Sequence, residues 1–159
     1  MGGRGRLGVG ERAADFVLTG WSGIRTRFYA QAGGRPTAVV FASDGDDPRF
    51  VDLTARLTAR DDVALCCVIS NGPAADMRVP TWSDSDGAVA EAYGVTAGEL
   101  TAVVLDPNLR VAGVVVGDGM AGRVVELLDA VVHRDRALQV VAQAPVLLLP
   151  RALDATYRD

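Results

Sequence analysis

The sequence predicts an α/β fold: a central mixed sheet flanked by helices on both faces. Three observations predict it. Two β-branched apolar runs, "RPTAVVFAS" (35–43) and "VALCCVIS" (63–70), bracket an amphipathic segment, which is the pattern of a parallel crossover. Two further β runs in "TAVVLDPNLRVAGVVVG" (101–117) are joined by Asp106-Pro107-Asn108, a turn signal, so they pair antiparallel. A closing stretch, "AGRVVELLDAVVHRDRALQVV", spaces Val124, Leu127, Leu128, Val131 and Val132 along one helical face.

Taken in order, "ADFVL" (14–18) is a short strand and "GWSG" (20–23) supplies turn residues. The run 35–43 is a buried central strand. In "DDPRFVDLTARLTARDD", Asp47 is an N-cap, Pro48 fits the first helical position, and Phe50, Leu53 and Leu57 share a face. The run 63–70 is a second buried strand, ended by "NGP". "SDSDGAVAEAYG" (83–94) reads as an acidic cap, a short helix and a glycine stop at Gly94. The order is then β-α-β, helix, β-β-α, which describes a thioredoxin-like fold. No internal repeat or low-complexity tract interrupts it.

At 159 residues and 16.6 kDa the chain suits one domain with a full core. Apolar residues at 49% and charged residues at 23% are ordinary for a soluble globular protein. A net charge of −4 argues against a nucleic-acid or anionic-membrane surface. All 16 basic residues are arginine, which fits coding bias in a GC-rich genome. No segment reaches the roughly 20 apolar residues that span a bilayer, and "MGGRGRLGVG" has no apolar core of a secretory signal. A cytoplasmic protein is expected, with residues 1–7 as a flexible arm, 8–142 as the domain and 143–159 as a tail.

Cys66 and Cys67 are adjacent. Neighbouring Cα atoms sit about 3.8 Å apart, below the usual disulfide range of about 4.4–6.8 Å. In a strand their side chains point to opposite faces. They are read as two buried, reduced thiols.

Five pieces, in the family's order and spacing over residues 8–132, carry a resemblance: "GERAADFVLTGWSG", "GGRPTAVVFAS", "VISN", "SDSDGAVAEAYGV" and "AVVLDPNLRV". They resemble the peroxiredoxin (AhpC/TSA-like) branch of the thioredoxin superfamily. The resemblance implies a thiol peroxidase scaffold, with a Pro-x-x-x-Thr-x-x-Cys motif at the start of the first long helix. Laid onto "SDGDDPRF", the proline position falls on Ser43, the threonine on Asp47 and the cysteine on Phe50. The family's second arginine falls near Leu100. All four are changed.

These losses bear on the chemistry. A peroxidatic cysteine must be a thiolate, which a helix N-terminus and a nearby cation stabilise, while a hydroxyl and an arginine orient the peroxide oxygens. The sequence offers an apolar ring, no cation, and Asp44, Asp46 and Asp47 in the approach, where carboxylates raise a thiol's pKa. Cys66 and Cys67 are the only thiols left for such work, in mid-strand surroundings that deny access.

Other constellations have plainer explanations. Helix capping accounts for Asp47 without a metal, and "GVVVGDGMAGR" (113–123) lacks the pattern of a phosphate cradle. His133, the single histidine, is placed near the end of the last helix, and one histidine builds neither a triad nor a metal site. Trp21 and Trp82 are read mainly as packing, with Trp82 beside Phe50 as the wall of an apolar pocket or dimer contact. The tail, "QAPVLLLPRALDATYRD", has a strand-like run between Pro145 and Pro150 and resembles the opening of a prolyl-hydroxylase-like Fe(II)/2-oxoglutarate oxygenase domain. That resemblance implies a bacterial peroxiredoxin-like domain of the kind found ahead of such an oxygenase. The two histidines and carboxylate that hold its iron are missing from this chain.

Three readings stand at this point. The first is a non-catalytic domain acting through a protein partner or homodimer, without cofactor or metal, nucleic acid or membrane. The second is a divergent thiol oxidoreductase using Cys66 or Cys67. The third is a small-ligand pocket at the old active site, lined by Ser43, Asp44, Asp47, Phe50, Trp82 and Leu100, with Asp44 or Asp47 as proton handler.

Overall fold

A computed structural model describes residues 7–20, 24–32, 34–71, 81–84, 86–96 and 98–157, with side chains described as far as Leu138. Trp21 and residues 1–6 of the expected arm lie outside the described residues; Leu7 is buried. Seven strands form one sheet in the order β2-β1-β5-β4-β3-β6-β7.

The sheet is built around β3 (Thr37–Ala42), every residue of which is buried. It pairs parallel with β4 (Ala64–Ile69) and antiparallel with β6 (Thr101–Leu105). β-branched and small apolar residues suit a strand covered on both faces. β6 and β7 (Val111–Val116) form the expected hairpin. Asp106 organises its turn: Oδ1 accepts from the N–H groups of Asn108 and Arg110, and the backbone carbonyl accepts from Leu109 N–H at 2.9 Å. Leu109 sits at φ 66°, the left-handed region that favours glycine, and its side chain is buried. Burial of the leucine offsets that backbone cost.

The other edge differs from expectation. The first strand is β1 (Val17–Gly20), shifted from 14–18, and it pairs with β2 (Arg25–Arg27). Asp15 stands ahead of β1, where its carboxylate accepts from Phe16 and Tyr29 N–H, and those bonds hold the chain out of the ladder. β5 (Thr81–Ser83) bridges β1 and β4 and carries Trp82, a strand absent from the expected elements. Three residues are too few to show a period-2 pattern.

Helices cover both faces. α2 (Pro48–Thr58) and the start of α4 (Met120–Tyr157) pack on one face, burying Phe50, Leu53, Leu57, Val124 and Leu128. α1 (Phe28–Ala32) and α3 (Ala88–Ala92) lie on the other with Phe28, Val89 and Tyr93. Tyr93 is buried there, and its hydroxyl donates to the Ala14 carbonyl at 2.6 Å.

The tail corrects the sequence reading. α4 continues to Tyr157 through Pro145 and Pro150, so the strand-like run 146–149 is helical and His133 lies mid-helix, exposed. Among the described residues no ladder of the sheet includes this run, and an unpaired strand would leave its amides without acceptors, whereas a helix supplies its own. Among the described residues, no helix is long and apolar enough to cross a membrane.

Candidate functional site

The site expected from the sequence is the corner where β3 ends and α2 begins. Asp44 Oδ1 accepts from Asp46 N–H at 2.9 Å and tightens the turn. Asp47, in extended backbone, caps α2 by accepting from Arg49 N–H at 2.9 Å, and Pro48 takes the first helical position. This start sets the phase of the helix. It aims Phe50, only 2% exposed, into the core beside Leu53 and Leu57, with Leu100 in the same cluster.

Arg49 overturns the expectation that no cation stands here. Its guanidinium donates to Asp47 at 2.8 and 3.1 Å and to Asp118, in the turn before α4, at 3.1 Å. Arg49 holds the Asp47 carboxyl below the usual carboxylate range, chiefly through the side-chain hydrogen bond. The cation is thereby committed to two carboxylates rather than free to activate a nucleophile.

The six residues proposed as one pocket do not converge. Phe50 and Leu100 are core, and Asp44 and Asp47 are turn and cap. Trp82 belongs to the cluster on the opposite face, so the whole sheet separates it from Phe50. Period-2 alternation along β5 and the helical phase of α2 decide this; neither element alone reveals which face the other uses. Of the six, Ser43 lines the cavity described below.

Cys66 and Cys67 are buried on opposite faces, Cys66 with Tyr93 and Cys67 with Leu53. Burial pushes both thiols well above the ordinary range, and for Cys66 the neighbouring Cys67 adds to the effect. Neither is a thiolate near neutral pH.

The cavity, of about 450 Å³, opens at the carboxyl ends of β3 and β4 on the α3 side. Phe41, Ala42 and Val68 supply apolar walls, and Ser43 and Ser70 add hydroxyls. The remaining charged lining is acidic: Asp84, Asp86, Glu91 and Glu99. Asp84 is 2% exposed because it caps α3 from a distance, accepting from Val89 and Ala90 N–H at 3.2 and 3.0 Å. The sequence showed an acidic cap at 83–86, but not that this carboxylate is buried. Among the described residues, no group of three or more His, Cys, Asp or Glu is placed to hold a metal ion.

Neither a protein-family model nor a curated protein matches this chain. Solved structures do. The peroxidoxin BcpB of Mycobacterium tuberculosis is similar at TM-score 0.63 and 22% identity, over 79% of this chain and 99% of that one. The thiol peroxidase of Chromobacterium violaceum is similar at TM-score 0.63 and 13% identity, over 80% of this chain and 90% of that one. A peroxiredoxin-like protein of Aquifex aeolicus gives 0.59 and 21%, over 78% and 90%. At these identities the likeness speaks for architecture alone. With the mixed seven-stranded sheet and helices on both faces, it establishes that the chain has an α/β, thioredoxin-like fold.

Proposed function

We propose that this is a non-catalytic, peroxiredoxin-like domain that works through contact with a protein partner or a second copy of itself. One observation carries the reading: Phe50, at the position where the family resemblance expects the nucleophile, is core, and the adjacent cation is tied to Asp47 and Asp118. A thiol route through Cys66 or Cys67 is disfavoured by their burial and raised pKa. The link to an attached or partner oxygenase rests on the resemblance of residues 143–159, and sequencing the gene past Asp159 tests it. The activity test is hydroperoxide consumption with a thiol reductant, alongside thiol labelling. We expect no turnover and no labelled cysteine until the protein is unfolded. Hydroperoxide turnover, or a thiol that oxidises or labels rapidly in the folded protein, would overturn this reading.

A second reading is favoured by the cleft of about 450 Å³ beside Ser43, a size that suits a small ligand. Its acidic rim and apolar walls fit a cationic amphiphile such as an alkylamine. A thermal-shift series with alkylamines against matched alcohols tests it, since a ligand at 100 times its Kd adds about 2.7 kcal/mol. Equal responses to amine and alcohol would dismiss the charge preference, and flat responses the ligand.

A further inference from the structure

At the opposite end of the sheet, the β6–β7 turn is crossed by the N-terminal segment. Ala13 N–H donates to the Leu109 carbonyl, and Val111 N–H donates to the Glu11 carbonyl, both at 2.8 Å. Between these bonds Arg12 and Arg110 face each other across an antiparallel bridge. Because the bonds flank the pair rather than join it, this is the closer type of cross-strand pair, with Cα atoms about 4.5 Å apart and side chains on the same face. Like charges directly opposed destabilise such a pair.

Among the described residues, neither arginine forms an ion pair. Arg12 lies over the Tyr29 ring at 5.7 Å, and Arg110 Nη1 donates to the Gly10 carbonyl at 3.1 Å, which spends one of its five donors. The neighbouring carboxylates Asp106 and Glu11 accept from backbone amides, the turn N–H groups and Gly8 N–H, rather than from the guanidiniums, so they temper the pair through space without bonding to it. Both arginines border one cavity of about 450 Å³, shared with Pro107, Asn108 and Leu109. The chain is acidic overall, so an arginine pair without an ion-pair partner among the described residues is not simply part of a basic surface.

We propose that Arg12, Arg110 and Asn108 bind a small phosphate monoester. A dianion cancels both charges, two planar guanidiniums match phosphoryl oxygens bidentately, and the Asn108 amide adds a neutral donor. The cavity's size favours a small molecule over a macromolecular phosphate. The site is independent of the function proposed above, which concerns the other end of the sheet.

The test is isothermal titration of the full chain, at fixed ionic strength set with chloride, using phenyl phosphate, inorganic phosphate and benzoate. We expect both phosphates to bind, and benzoate, with the same ring and one charge, to bind at least tenfold more weakly. Arg12→Gln and Arg110→Gln should each weaken phenyl phosphate at least tenfold. Arg12 is exposed, so Arg12→Gln keeps the test decisive if Arg110→Gln fails to fold, and the Asn108 amide resonance reports the location. Absence of phosphate binding, unchanged affinity in Arg12→Gln, equal binding of benzoate, or an unmoved Asn108 resonance would each overturn the proposal.

Discussion

α2 and α3 both start where a strand ends at the same end of the sheet, and both are capped by aspartates, yet they build opposite environments. At α2 the cap is Asp47 itself; its partner Arg49 folds back on it, and Phe50 closes the space beneath. At α3 the cap residue is Gly87 at φ 73°, which has no side chain to offer. Asp84 reaches forward instead to Val89 and Ala90, while Asp86 accepts from Ala88 N–H at 3.1 Å. A cap adjacent to its helix leaves room for the helix to seal the corner. A cap reaching from three residues upstream of Gly87 holds the chain away from the helix, and the cleft opens there. Residues that satisfy the same backbone need thus leave one corner filled and the other open.

The comparison breaks most visibly at Phe50. Phe50→Ala is expected to cost about 3–5 kcal/mol in denaturant unfolding, because the ring lies within a close-packed core. Phe50→Cys sharpens the point: it restores the thiol to its place but should give no hydroperoxide turnover, since the site stays buried and Arg49 stays committed to two carboxylates. Turnover by that variant would mean the corner kept its chemistry and lost only the nucleophile.

Asp84→Ala should come next, at about 1–3 kcal/mol, because two amides at the start of α3 lose their acceptor. Hydrogen exchange should quicken at Val89 and Ala90 while α2 stays protected. Uniform loss across both helices would show that the two starts are not independent.

Asp47→Ala is the smallest, about 1 kcal/mol from the lost cap. Its pH dependence has a definite sign. The folded carboxyl titrates below its ordinary value of 3.8, so its contribution is full above that pH and is lost as pH falls through the lower folded pKa. The wild-type and Asp47→Ala stability curves should therefore converge on acidification. Parallel curves down to the acid limit would remove Arg49 as the cause.

Much of this was legible locally. The "DDPRF" start of α2, the β3 and β4 runs and the "DPN" hairpin each depend on residues a few positions apart, so propensity, capping and turn chemistry specify them. The absence of a cysteine at residue 50 was visible directly. Two of the pieces misread, β5 and the shifted β1, are short interior strands whose amides are satisfied by partners distant in sequence rather than by any pattern of their own.

What the sequence by itself determined, then, is the set of elements, the thioredoxin-like order, and which atoms are available for chemistry. Only the tertiary structure decided the groupings: Phe50 and Trp82 on opposite faces, Arg49 with Asp118, Asp84 inside a cleft wall, Arg12 against Arg110. The reason is physical. A helix phase or strand alternation says which residues share a face, but which faces meet is set by the order in which strands join the sheet, over separations that no local pattern spans.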